Sequence, residues 1–115
     1  MFMSSVVISR HPAAIAFLVD HFNDHGCSGW RYDAEQSLFV NDSISFTIPV
    51  IIGNATEDDV IGKHVFGNVP LNLACKAKSV TAIEFAGNPP RGREYTVEDM
   101  HNALAYMSTY EVRSI

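Results

Sequence analysis

The chain has 115 residues, of which 47% are hydrophobic, and a net charge of −5 from 8 basic and 13 acidic side chains. This length is typical of one domain with a modest core. The acidic balance argues against non-specific binding of long nucleic acid, which needs a broad basic face, but not against a small anion held by a few arginines.

No segment reaches the roughly 18 consecutive apolar residues that a transmembrane helix needs, so we expect no membrane partner. The apolar run at residues 13–19 is preceded by Arg10 and His11, is followed by Asp20 and His21, and has no small-residue cleavage site, which argues against a signal peptide. Cys27 and Cys75 lie far apart and form no disulfide framework. We therefore predict a cytoplasmic protein, with Cys75 as a small core residue.

The first half of the chain contains a strand, a helix and a less readable segment. The apolar run at residues 6–8 predicts a buried strand. Pro12 suits the first turn of a helix over residues 13–25, and Gly26 suits its end. Two further strands are predicted at 38–40 and 44–52, and an exposed acidic loop at 57–59. Pro49 argues against an interior position for the second of them.

The second half alternates strands and helices. Strands are predicted at residues 60–66 and 80–85, with a helix at 70–77 between them. Thr96 resembles an N-cap, and a stripe of apolar side chains then predicts a long helix packed on the core, followed by a last strand at 110–115. That stripe consists of Val97, Met100, Leu104 and Met107. The alternation predicts a single α/β domain over residues 1–115, with a mainly parallel central sheet and helices on both faces.

Three polar motifs follow predicted strands, where an open α/β sheet binds its ligands. They are Ser9-Arg10-His11-Pro12, Gly67-Asn68-Val69-Pro70-Leu71-Asn72 and Arg91-Gly92-Arg93-Glu94. Two of them open helices, whose N-terminal N–H groups favour an anion. Together the motifs predict a site for a phosphorylated ligand.

Each motif has a functional and a structural interpretation. Arg10 can clamp a phosphate and His11 can act as a general acid or base; alternatively, Arg10 pairs with a surface carboxylate and His11 only caps the helix. Ser9 belongs to the same predicted binding corner.

Gly67, Asn68 and Asn72 are predicted to bind phosphate or a base edge, with a plain strand-to-helix turn as the alternative. Arg91 and Arg93 are predicted to fold over the ligand; the alternative is a solvated loop in which Arg93 pairs with Glu94.

Other candidates are weaker. Lys63 and His64 are minor candidates for the ligand site. The group His21, Asp24, His25 and Cys27 lacks the glutamate of a metalloprotease motif, and we predict no metal site and no cofactor. Trp30 and Tyr32 suit stacking on a base, but a small core is the more common role of such residues.

Three blocks of the sequence, in the same order, resemble the signature blocks of a small CRISPR-associated family designated Csx-sixteen. They are VVISRHPAAI at residues 6–15, KHVFGNVPLNLA at 63–74 and RGREYTVEDM at 91–100. The chain departs from the family pattern at Ser9 (threonine in the family), at Ala13 (glycine) and at Asn68-Val69 (Thr-Leu), and residues 27–59 do not match it.

The resemblance implies a ring nuclease, an enzyme that cleaves cyclic oligoadenylate and so switches off type III CRISPR signalling. It implies a Rossmann-like (CARF-like) domain, a ligand of the cyclic tetra-adenylate type and a homodimer that binds this ligand across a two-fold axis. A phage-borne copy would serve counter-defence as an anti-CRISPR protein. Cleavage by the ligand's own 2′-hydroxyl needs no metal. The alternatives are a non-catalytic cyclic-nucleotide binder, acting as sponge or sensor, and an accessory protein without a ligand.

Overall fold

The protein is described by a computed structural model that covers residues 4–89 and 94–115. Seven strands form one mixed sheet in the order β2-β3-β4-β1-β5-β6-β7. The strands are β1 (Ser5–Ile8), β2 (Trp30–Asp33), β3 (Leu38–Asn41), β4 (Phe46–Ile51), β5 (His64–Phe66), β6 (Ser79–Phe85) and β7 (Ala105–Tyr110). The helices are α1 (Pro12–His25), α2 (Glu57–Val60), α3 (Leu71–Ala74) and α4 (Val97–Asn102).

The predicted α/β class is confirmed, and the parallel part of the sheet is its middle. β1 pairs in parallel with β4 and β5, and β5 pairs in parallel with β6. β2, β3 and β4 pair antiparallel, as do β6 and β7. The continuous apolar run Val6–Ile8 suits the central position of β1, because a strand covered on both faces needs apolar side chains on both.

The core has two halves, one on each face of the sheet. Val7 packs with Leu18 of α1 and Met100 of α4. Val6 packs on the opposite face with Val60 of α2 and Ala74 of α3. The alternation of Val6 and Val7 follows from the two-residue period of a strand, and it gives each face its own helices, as predicted.

The predicted strand over residues 60–66 is wrong at its start. Glu57–Val60 forms the short helix α2 in place of the expected acidic loop, and the strand is only His64–Phe66. The Asp59 carboxylate accepts hydrogen bonds from the backbone N–H and the hydroxyl of Thr56, at 2.7 and 3.0 Å. This cap at the helix start outweighs the apolar character of Val60, which instead fills the core.

The predicted long C-terminal helix is also wrong. α4 ends at Asn102, and Leu104 has a φ of 57° and an exposed side chain. The N–H of Gly87 donates to the Ala103 carbonyl at 2.9 Å, so the chain reverses there and pairs with β6 as β7. Met107 lies in this strand, and the predicted last strand at 110–115 is replaced by Ala105–Tyr110.

Three smaller differences concern the middle of the chain. The predicted helix at 70–77 is only Leu71–Ala74, and Cys75 at its end is half-buried and not a core residue. Strand β2 was not predicted. Pro49 lies within β4, where it pairs with Leu38 of β3, but the pairing of β4 with β1 begins only at Val50. Pro49, which has no N–H, therefore lies at a position of β4 that is paired with β3 but not with β1.

Candidate functional site

A cleft of about 490 Å³ lies at the carboxyl ends of β1, β4, β5 and β6. β1 leads into α1 on one face of the sheet and β5 leads into α3 on the other, so the two connections diverge and leave a crevice between them. The volume is in the range of ligand pockets, about 300–1,000 Å³. The predicted site residues in the first two motifs all line it: Ser9, Arg10, His11, Gly67, Asn68 and Asn72.

Gly67 lets two strand ends approach closely at the base of the cleft. Its φ is +133°, and a Cβ built on it would lie 2.0 Å from the Ile8 carbonyl oxygen. Its N–H donates to the Thr81 carbonyl at 2.9 Å. The absence of a side chain at this glycine therefore admits the backbone of β1, which keeps the first two motifs side by side.

Asn68 and Asn72 have different environments although both line the cleft. The Asn68 amide donates to the Ile83 carbonyl at 3.0 Å and accepts from the Ile83 N–H at 2.9 Å. It thus extends the pairing of β5 with β6 by one side chain. Asn72 is exposed, and its amide has no hydrogen-bond partner within residues 4–89 and 94–115. A ligand in the cleft would therefore meet a free amide at Asn72 and an occupied one at Asn68.

Arg10 is the cation of the described part of the cleft. Its guanidinium donates to the Asn54 side-chain oxygen at 3.0 Å in an exposed position. Across the described residues no carboxylate pairs with Arg10. The structural alternative of an Arg10–carboxylate pair is not realised, and the charge remains available to an anion.

His11 lies at the N-cap of α1 and forms a dyad with Glu94. Its Nδ1 is 2.9 Å from the Glu94 carboxylate, and its ring stacks on Tyr95 with centroids 5.4 Å apart. When Nδ1 carries the ring proton it donates a hydrogen bond to the Glu94 carboxylate, which leaves Nε2 of a neutral imidazole as a hydrogen-bond acceptor and base. The His11 side chain makes no cap hydrogen bond to α1. It contacts Glu94 and Tyr95 instead, so the structural alternative in which His11 only caps the helix does not describe its side chain.

The first turn of α1 adds positive potential beside these side chains. It begins with Pro12 and contains no acidic residue. Its first N–H groups have no partner within the helix, and the positive end of the helix dipole faces the cleft. The arginine, the imidazole and the helix end together form a site for an anionic group.

Glu94, Tyr95 and Asn54 were missed by the sequence analysis. Glu94 was considered only as a possible partner of the adjacent Arg93, in the structural alternative for that loop. Residues separated by 83 positions cannot be paired from a single sequence, so the dyad with His11 became visible only in the fold. Arg91 and Arg93 lie outside the described residues, and their lid role stays a prediction.

The weaker candidates lie away from the cleft. His64 begins β5 at the opposite end of the strand and hydrogen-bonds with Ser79 and, at 2.7 Å, with Thr81. Burial lowers its pKa below 6.5. Trp30 is buried against Phe22, so the core role is confirmed. His21, His25 and Cys27 border a second, smaller pocket, and within the described residues no group of three potential ligands is arranged for a metal.

No family model, curated protein or solved structure shows significant similarity to this chain. Among the described helices, none has the length and apolar character needed to cross a bilayer.

Proposed function

We propose that the cleft is the active site of a metal-independent phosphodiesterase that cleaves cyclic oligoadenylate, a ring nuclease. The observation that carries the proposal is the His11–Glu94 dyad near the guanidinium of Arg10, which pairs with no described carboxylate, at the N-terminus of α1. A site that only binds an anion has no need of an oriented imidazole, whereas a site that transfers protons does. The ligand class rests on the resemblance of the three sequence blocks.

The reaction follows from the ligand's own chemistry. The ribose 2′-oxygen loses its proton and attacks the adjacent phosphorus, while the bond from phosphorus to the 5′-oxygen breaks. The leaving 5′-oxygen takes up a proton, and the product ends in a 2′,3′-cyclic phosphate. The nucleophile is part of the substrate, so the protein has to orient it, stabilise the phosphorane charge and move the proton.

The residues of the cleft can take these three roles. Arg10 and the first turn of α1 bind the phosphate oxygens and stabilise the added charge. Nε2 of His11 moves the proton, and Glu94 fixes the tautomer and stabilises the imidazolium. Asn72 contributes a free amide for a phosphate oxygen or a base edge.

The proposal also assigns the domain to the Rossmann-like (CARF-like) folds and includes a homodimer. A cleft of about 490 Å³ takes a part of a four-nucleotide ring. A second copy related by a two-fold axis would supply an equivalent half-site to a symmetric ligand. The cellular role that follows is termination of type III CRISPR signalling.

The second candidate function is a cyclic-nucleotide binder without turnover. Arg10, which no described carboxylate neutralises, serves such a protein equally well, as do Asn72 and the helix end. Incubation of a large molar excess of cyclic tetra-adenylate with the protein, followed by chromatography, separates the two functions. Multiple turnovers support the nuclease, loss of only a stoichiometric amount of free ligand supports the binder, and no change contradicts both.

The dyad is tested by a pair of variants. We expect His11→Ala to lower the turnover rate by about 10²–10⁴ and to leave ligand affinity within a few-fold, because a positioned acid or base contributes about that much. Glu94→Gln should keep affinity and shift the pH profile of turnover. His25→Ala, at the far end of α1, is the matched control and should keep the wild-type rate. A wild-type rate in His11→Ala would remove the histidine from the mechanism.

A further inference from the structure

The two edges of the sheet differ in how they are protected from pairing. The β2 edge has four residues and carries Arg31 and Asp33, with Asp42 nearby. The β7 edge has six residues, Ala105–Tyr110, and none is charged. In the described part of the chain no strand pairs with its outer side. Charged side chains and short length are the usual protection of an edge strand, so β7 is the open edge.

The hydrogen bonds of β6 show which backbone groups of β7 point outward. Both backbone groups of Ile83 bind the Asn68 amide, on the β5 side. Because backbone groups alternate along a strand, those of Ala82 and its partner Ser108 bond each other. The N–H and carbonyl groups of Met107 and Thr109 therefore point to the open edge.

We propose that β7 pairs antiparallel with β7 of a second copy of this chain, about a two-fold axis at Ser108. The outward groups of Met107 in one copy then bond those of Thr109 in the other. Ser108 faces its own equivalent as a non-hydrogen-bonded pair. The two sheets join into one continuous sheet.

The side chains favour a second copy of this chain as the partner. In this register Tyr106 lies opposite Tyr110 of the other copy, and aromatic cross-strand pairs stabilise a sheet. Both rings are nearly half exposed, at 44% and 45%, and both hydroxyls donate to Glu84, which holds the rings on one face.

The charges are compatible with self-pairing. No charged side chain of β7 meets its equivalent, and Glu111, just beyond the strand, lies 3.7 Å from Arg113. The same pairing through β2 would bring the exposed guanidinium of Arg31 and the largely buried carboxylate of Asp33 to the interface, where both would lose water. Self-association through β7 is therefore the edge pairing that removes no charged strand residue from water.

This interface is distinct from the proposed ligand site. The two-fold axis reverses the strands of the second copy, so the two clefts open at opposite ends of the joined sheet. Pairing through β7 consequently requires no ligand, and its failure would leave the proposed nuclease function untouched.

Sedimentation of the ligand-free protein over micromolar to submillimolar concentrations tests the inference. We expect a reversible dimer whose dissociation constant rises about tenfold or more in Ser108→Lys, because like charges then lie directly opposite each other. Thr47→Lys, at an exposed position of the interior strand β4, is the matched control and should keep the dimer. A mixture of Ser108→Lys with Ser108→Glu should restore it.

Cross-linking provides a second readout in case the charged variants fold poorly. Cα atoms of a non-hydrogen-bonded pair are about 4.5 Å apart, within the range that a disulfide spans. In a Cys27→Ser background, Ser108→Cys should form a disulfide-linked dimer on mild oxidation, and Thr47→Cys should not. A monomer at all concentrations, a dimer that survives Ser108→Lys, or equal cross-linking of both cysteine variants would overturn the proposal.

Discussion

Single residues at the base of the cleft fix its geometry. Gly67 combines a positive φ with a position so close to the Ile8 carbonyl oxygen that a Cβ on it would lie only 2.0 Å away. His11 combines a backbone position at the start of α1 with a side-chain partner from the segment before α4. Each of these residues joins two parts of the chain, and each can be tested by a substitution.

Gly67→Ala should destabilise the protein more than any other glycine substitution in the cleft. Gly53 has a similar φ of +105° but has no atom within 4 Å of an added Cβ. Gly53→Ala therefore measures backbone strain alone, about 1–2 kcal/mol. Gly67→Ala adds the contact with the Ile8 carbonyl, which only a backbone shift relieves. Denaturant unfolding of both variants checks this, and equal losses would show that the contact costs nothing.

His64 makes folding depend on pH. Burial lowers its pKa in the folded state, so the folded protein binds fewer protons than the unfolded chain below pH 6.5. The stability is complete above that pH and is lost as the pH falls toward the folded pKa. We expect His64→Gln to lose less melting temperature than the wild type between pH 7.5 and 5.5. The melting temperature of both proteins across this pH range checks the prediction, and an unchanged pH slope in His64→Gln would contradict the assignment.

At the scale of elements, the strand ends are joined by side chains as well as by backbone. Asn68 continues the β5–β6 pairing after β5 has ended at Phe66. Asn72, the second residue of α3, makes no side-chain hydrogen bond within the described residues. Two asparagines that share one motif thus have different roles. One belongs to the wall of the cleft and the other is available inside it.

The two asparagines should separate in a paired substitution. Asn68→Ala leaves the N–H and carbonyl of Ile83 without their partner and should lower the free energy of unfolding by about 1–3 kcal/mol. Asn72→Ala should change it by less than about 0.5 kcal/mol, as is usual for exposed positions, and should weaken ligand binding. Thermal melts and ligand titration of both variants distinguish them. Equal stability of the two would show that the Ile83 bonds are replaced by water.

On the scale of the whole molecule, α1 and α3 lie on opposite faces of the sheet, and the cleft opens between them at the carboxyl ends of the central strands. β7 is the strand at one edge of the same sheet, away from the cleft. The cleft is the proposed place of reaction, and β7 is the proposed place of self-association. Because the cleft and β7 are separate surfaces, one chain can bind one copy across the ligand and another copy through β7 at the same time.

Turnover should survive EDTA. The substrate contains its own nucleophile, and the positive charge of Arg10 and of the α1 N-terminus performs the charge stabilisation while disfavouring a divalent cation in the same cleft. The turnover rate with and without chelator checks this. Loss of activity on EDTA treatment, with recovery on addition of Mg²⁺ or Mn²⁺, would contradict the mechanism.

The sequence by itself determined the α/β class, the central strand at residues 6–8, the first helix and the corner motifs of the cleft. These rest on signals that are local in the chain: an apolar run, a proline at a helix start, a glycine at a strand end. The long C-terminal helix was predicted wrongly because its apolar spacing continues through Met107, whereas pairing with β6 is a contact that no local pattern encodes.

Only the tertiary structure decided the partners within the site. The contact of His11 with Glu94, the commitment of Asn68 to Ile83 and the approach of Gly67 to Ile8 each join residues distant in the chain. The free energy of such contacts depends on which strands lie side by side, and that order is set by the packing of the helices on both faces. The residue types were therefore visible in the sequence, but their roles followed from the fold.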